Sequence, residues 1–186
     1  MSGMRVISGK ARGHKLRSVP GNSTRPITDR VKESLFNILG ADVVSATFLD
    51  LFAGTGSVGI EALSRGAHFV RFVDIEQRAI ATTRANLKHT RLSDSAEVVR
   101  SDAFKYLERE PDQTFDYVYI APPQYRELWK KAMFSLSTHS RWLAEDAWVI
   151  VQIHPVEYEA LILPGLREFD QRKYGSTLLL FYDLCI

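Results

Sequence analysis

Three aspartates and three glycines near the middle of the chain have the types and spacing to cradle a ligand built on a nucleoside. Gly54-Thr55-Gly56-Ser57-Val58-Gly59 follows the pattern G-x-G-x-x-G. Glycines at such places let the backbone turn sharply and lie close to a ligand. Asp74 comes 20 residues after Gly54, where a carboxylate can accept hydrogen bonds from ribose hydroxyls. Asp50 comes four residues before Gly54. A dinucleotide would set its pyrophosphate against the helix N-terminus behind the loop, and an acid at Asp50 would repel it. S-adenosylmethionine has no phosphate, and its amino-acid end needs an acceptor for an ammonium group. Asp50 can be that acceptor, so these residues favour the methyl donor over a nicotinamide dinucleotide, which would make the chain an oxidoreductase.

A third acid, Asp102, follows in Ser101-Asp102-Ala103-Phe104. It reads either as a cofactor contact or as the N-cap of a short helix, and one carboxylate can do both. Phe52 and Thr55 in the loop, Ile75 after Asp74, and Ala103 after Asp102 complete the expected cofactor-binding set. Further on stands Ile120-Ala121-Pro122-Pro123-Gln124-Tyr125. Two prolines stiffen a loop and offer no amide donors, and an aromatic beside them can stack on a flat ring. Five histidines show no metal-ligand spacing, and no metal is expected. Cys185 is the single cysteine. It excludes an internal disulfide and reads as a buried, inert thiol.

The elements that must position these residues alternate. Strands are expected at Phe48–Phe52, Phe69–Asp74, Glu97–Arg100, Phe115–Ala121 and Trp148–Ile153. Helices are expected near Val58–Arg65, Gln77–His89, Ala103–Glu108 and Tyr125–Leu136. Repeated strand–helix units predict an α/β fold with a doubly wound, mostly parallel sheet. Phe169–Tyr174 and Ser176–Leu184, parted by Gly175, predict a closing antiparallel hairpin. Before all this, Met4–Ser8 and His14–Val19 read as a small β-hairpin around Gly9–Gly13. A helix follows, with Thr28 as N-cap, apolar Val31, Leu35, Ile38 and Leu39 at helical spacing, and Gly40 as its stop. A boundary near residue 40 divides an N-terminal unit, 1–40, from the main domain, 41–186.

The 186 residues, 45% of them hydrophobic and 25% charged, suit one globular body. No apolar run approaches the roughly 20 residues of a bilayer span, and the first residues lack the apolar core of a signal peptide. A cytoplasmic monomer is expected. The net charge is only +2, but residues 1–32 carry eight cations against Asp29 alone, a balance of +7 that leaves −5 for the remainder. This split suggests a basic arm that meets a polyanion, or a solvated face.

Taken together, these residues resemble the bacterial 16S rRNA guanine-N2 methyltransferases, with their Rossmann-like fold. The loop string Asp50-Leu51-Phe52-Ala53-Gly54-Thr55-Gly56 is similar to the D-x-F-x-G-x-G signature of nucleic-acid amino-methyltransferases, and its continuation to Gly66-Ala67 extends the match. Arg5–Gly13 and Arg25–Asn37 carry the more specific part, since methyltransferases at large lack it. The resemblance implies methyl transfer from S-adenosylmethionine to the exocyclic amine of one guanine in small-subunit rRNA or its ribonucleoprotein. It implies an adenine contact for Asp102, and catalytic roles for Ala121, Pro122, Pro123, Gln124 and Tyr125. Lys10, Arg12, Lys15, Arg17, Arg25 and Arg30 become the RNA-binding candidates. The chain departs from the family's Asp-Pro-Pro-Tyr pattern, with Ala121 in the acid's place and Gln124 inserted before the aromatic. That departure opens an alternative: a catalytically weak RNA-binding module that keeps the fold.

Overall fold

Short apolar strands whose neighbouring residues are both buried dominate the middle of the chain, and they fold as the centre of a sheet covered on both faces. The computed structural model describes residues 3–21 and 26–185. Its strands are β1 (Thr47–Asp50), β2 (Phe69–Asp74), β3 (Ala96–Arg100), β4 (Phe115–Ile120), β5 (Leu143–Ile153), β6 (Leu166–Tyr174) and β7 (Thr177–Leu184). They form one sheet in the order β3-β2-β1-β4-β5-β7-β6. The first five are parallel, and β7 joins β5 and β6 in antiparallel fashion. The helices are α1 (Asp29–Leu39), α2 (Ser57–Ser64), α3 (Gln77–Thr90), α4 (Ala103–Leu107) and α5 (Leu128–Thr138).

Successive strand residues point to opposite faces, and the two cores follow that alternation. Phe48, Phe72, Tyr117 and Tyr119 pack with α1, α2 and α3. Leu49, Val73, Val118 and Ile120 pack with α4 and α5. Gly59 shows how tight the first layer is: a Cβ there would lie 2.3 Å from the Phe72 ring. The third glycine of the loop motif is therefore needed for helix–sheet contact. Thr28 caps α1 by accepting the Val31 amide at 3.3 Å, and Gly40 ends it at φ 62°.

Several boundaries differ from expectation. The N-terminal hairpin forms a single bridge, Arg5–Lys15, flanked by Val6 N–H to His14 O (2.9 Å) and Leu16 N–H to Met4 O (2.8 Å). Several of its other donors are diverted to α2. Ile7 and Ser8 amides reach the Glu61 carboxylate, and the Lys10 amide reaches Ser64 O. Val6, Ala11 and Leu16 are buried in the same cluster as α2. Helix α5 starts at Leu128, because Tyr125 (φ 62°) and Glu127 (φ 53°) take left-handed turn conformations. Strand β1 stops at Asp50, where the loop begins, while β5 and β6 start earlier than their apolar patterns suggest. Cys185 is exposed, not buried, one residue past the end of β7 at Leu184.

Candidate cofactor and acceptor site

In an open sheet of this kind, ligands bind beyond the carboxyl ends of the strands, where neighbouring connections part to opposite faces. Here that point lies between β1 and β4. Asp50 ends β1 and is in register with Phe72 of β2 and Tyr119 of β4. Asp74 ends β2, Asp102 lies just past β3, and Ala121 directly follows β4. The topology thus brings the sequence-predicted cofactor and acceptor residues to one edge.

Asp50 is 3% exposed, and its Oδ1 is buried with no hydrogen-bond partner among the described residues. Burial, and then the negative charge of Asp74, push its pKa up to about 8, against a lowering contribution from the Gly59 backbone. The Tyr119 hydroxyl is raised well above its ordinary value, first by burial and then by Asp50. A buried acceptor left without a donor is costly unless a ligand completes it. The loop beside it has room for one: Gly54 sits at φ 57°, and a Cβ there would meet nothing within 4 Å. An ammonium-bearing ligand fits this pair of features.

Asp74 holds the loop's shape. Its Oδ2 accepts the Gly54 amide and its Oδ1 the Glu76 amide, both at 2.9 Å. Ile75 beside it is 55% exposed, an apolar face at the mouth of the site. Asp102 caps α4, its Oδ1 accepting the Phe104 and Lys105 amides at 3.0 Å. Ala103 is buried behind it. Phe52 meets Phe104 edge-on, with ring centroids 6.3 Å apart. Gly56 stands at φ 79°, where a Cβ would lie 3.0 Å from Thr83 Cγ2. The Thr55 hydroxyl accepts the Ser57 amide at 3.3 Å.

Helix α3 contributes two side chains that the sequence reading missed. The Thr83 hydroxyl donates to Gly54 O at 2.9 Å, and the Asn86 amide donates to Thr55 O at 2.9 Å. Both are fully buried. Lys32 of α1 and Glu61 of α2 are a second missed pair, both side chains wholly buried with Nζ 3.6 Å from Oε2. Nothing in their residue types separates them from surface residues of the same helices; only their helical phase, shared with apolar neighbours, could have marked them.

On the acceptor side, Ala121 is half-buried, Pro122 is buried, and Pro123 and Gln124 are half-buried. Tyr125 is 67% exposed, and its amide donates to Glu157 Oε1 at 2.8 Å. The other Glu157 oxygen accepts the His154 amide at 3.2 Å, and the His154 ring lies 5.8 Å from that of Tyr125. Glu157 therefore pins the acceptor loop to the segment after β5, a contact the motif alone did not suggest. Among the described residues, no group of three or more His, Cys, Asp or Glu side chains gathers to hold a metal ion, and no helix is long and apolar enough to cross a membrane.

Lys10, Arg12, Lys15, Arg17 and Arg30 are exposed, and Arg25 lies outside the described residues. The exposed arm cations do not converge on one point. The loop tip rests on Ser64 at the far end of α2, while Arg17 is held near the cofactor loop by Asn86. An eight-residue helix is about 12 Å long, so the arm lays its charges along that length.

A family model described as "Conserved hypothetical protein 95" matches residues 4–183. The Bacillus subtilis (strain 168) protein YlbH is 43% identical over 182 residues, which cover 96% of this chain and 98% of that one. Ribosomal RNA small subunit methyltransferase D of Escherichia coli (strain K12) is 36% identical over 149 residues, covering 80% of this chain and 74% of that protein. The solved structure of the Escherichia coli protein yhhF matches with a TM-score of 0.86 at 31% identity, covering 97% of each chain. Arm, glycine loop and acceptor motif all fall within the matched span, and the chain belongs to the conserved hypothetical protein 95 family, as a homologue of ribosomal RNA small subunit methyltransferase D.

Proposed function

We propose that the protein is an S-adenosylmethionine-dependent rRNA methyltransferase whose target is the exocyclic N2 amine of one guanine in small-subunit (16S) rRNA. The observation that carries this reading is the buried, unpartnered Asp50 oxygen beside the open space over Gly54. The homology to an rRNA small-subunit methyltransferase supplies the substrate class. The reading implies a cytoplasmic, monomeric enzyme without a metal, in which residues 1–40 serve as the RNA-facing unit.

When bound, S-adenosylmethionine supplies an electrophilic methyl group on a sulfonium. Asp50 would accept hydrogen bonds from its ammonium, Asp74 from its ribose, and Asp102 would face its adenine, with Phe52, Thr55, Gly56, Ile75 and Ala103 shaping the walls. On the other side, a guanine amine is a poor nucleophile because its lone pair is delocalised into the ring. It needs orientation and an acceptor for its N–H. Ala121 has no side-chain acceptor, so the main-chain carbonyls of Ala121 and Pro122 and the Gln124 amide oxygen take that role. Pro122 and Pro123 stiffen the loop that offers them. Tyr125 would stack on the extruded base, a contact worth about 1–3 kcal/mol. Orientation can supply roughly 7–11 kcal/mol of a barrier, against about 1.5–3 kcal/mol for one hydrogen bond to a charged group. A site that keeps its geometry therefore survives the loss of the acid.

Ala121 itself favours the second reading, a catalytically weak RNA-binding module. Tritiated S-adenosylmethionine incubated with the protein and small-subunit RNA, naked or as ribonucleoprotein, separates the two. The enzyme reading expects label in at least one substrate. Tight binding of both RNA and S-adenosylhomocysteine without transfer would leave the module reading standing.

A further inference from the structure

Two fully buried polar side chains link the cofactor loop to the backbone of the basic arm. Asn86 Oδ1 accepts the Arg17 amide at 2.8 Å, and its Nδ2 donates to Arg17 O at 3.1 Å and to Thr55 O at 2.9 Å. Lys32 Nζ donates to Arg5 O at 2.6 Å and to Ser57 Oγ at 2.9 Å. Each side chain is 0% exposed. One bridge thus runs from loop residue 55 to arm residue 17, and the other from loop residue 57 to arm residue 5. The Arg17 side chain is exposed, and that of Arg5 is exposed but paired through Nε with Asp29 Oδ2 at 3.2 Å.

We propose that Asn86 and Lys32 are positioning residues that make cofactor binding and RNA binding mutually dependent. The inference rests on the enzyme reading above. Its physical basis is that a buried polar bridge offers no cheap intermediate. If the loop shifts, the buried donors lose partners that water does not replace. A ligand that orders Thr55 and Ser57 therefore orders the arm backbone, and phosphates that fix the arm fix the loop. If anchoring were the only task, apolar packing of similar volume would serve as well as a buried lysine and its glutamate. Linkage makes the effect reciprocal: the factor by which one ligand strengthens the other must be the same in both directions.

The test measures the Kd of 16S rRNA with and without saturating S-adenosylhomocysteine, and the Kd of S-adenosylhomocysteine with and without the RNA. The native protein should show the same factor both ways, about tenfold, within the usual range for coupled sites. Asn86→Ala should reduce that factor to about threefold, since the Lys32 bridge remains. Ser57→Ala, which removes only the contact of Lys32 with the loop, should reduce it while leaving the fold intact. A merely structural role would weaken the separate affinities and leave their ratio unchanged. A factor of one in the native protein, or an unchanged factor in both variants, would overturn the coupling while both ligands still bind. Failure of the native protein to bind RNA or S-adenosylhomocysteine at all would instead defeat the enzyme reading on which the coupling depends.

Discussion

At the scale of single residues, Asp50 makes the sharpest demand. Burial pushes its carboxyl up to about 8 in the folded, ligand-free protein, far above the ordinary aspartate range. The group is protonated when buried and ionised when unfolded, so its contribution to stability is complete below about pH 4 and is lost as pH rises toward 8. Asp50→Asn should therefore raise the melting temperature of the free protein at pH 8 and change it little at pH 4. Differential scanning calorimetry at the two pH values checks this, and equal shifts would contradict it. An ammonium ligand reverses the preference and expels the proton. Affinity for S-adenosylhomocysteine should rise by up to about tenfold per pH unit below about pH 8. Isothermal titration in buffers of different ionisation enthalpy would reveal the released proton, and Asp50→Asn should abolish both the release and the slope. Ala121 makes the complementary demand. Ala121→Asp restores a charged acceptor, and about 1.5–3 kcal/mol corresponds to a ten- to hundredfold gain in single-turnover rate. An unchanged rate would mean that main-chain carbonyls and Gln124 already meet the need.

At the scale of elements, the central strands and helices were readable because their residues must satisfy one face or two at fixed periods. Phe69–Asp74 and Gln77 at the start of α3 fall where the pattern puts them. The failures share a cause. The N-terminal hairpin has strand-like residues, but Glu61 and Ser64 of α2 take the amides that a ladder would use. Tyr125 suits a helix start, yet Glu157 draws its amide into a left-handed turn. Partners about 30 or more residues away decide both segments, and no local period reports them. The same holds at the site: the glycines and aspartates announced themselves by spacing, whereas Asn86, Thr83 and Lys32 act through buried hydrogen bonds that no spacing reports. The arm's layout carries its own prediction. If Lys15 and Arg17 contact phosphates, replacing each with alanine should flatten the dependence of log affinity on log salt by about 0.7, using the single-strand coefficient. Filter binding between low and physiological salt measures it, and an unaltered slope would remove those two residues from the interface.

At the scale of the whole molecule, charge and topology describe one division of labour. The sheet order 3-2-1-4-5-7-6 opens its ligand edge between β1 and β4. The exposed cations of the N-terminal hairpin lie along α2, whose N-terminal end carries the cofactor loop. If about five phosphates are contacted, the full salt slope should be roughly −3.5. A slope near zero would end the idea of an RNA arm. The measurement that bears most directly on the central claim is the identity of the methylated nucleoside. After incubation with S-adenosylmethionine and small ribosomal subunits, the 16S rRNA would be digested and its nucleosides resolved by mass spectrometry. New N2-methylguanosine is expected, confined to one position on mapping, and lost in Asp50→Asn. Methyl groups on another base or another ring atom, or none at all in a protein that binds both ligands, would contradict it.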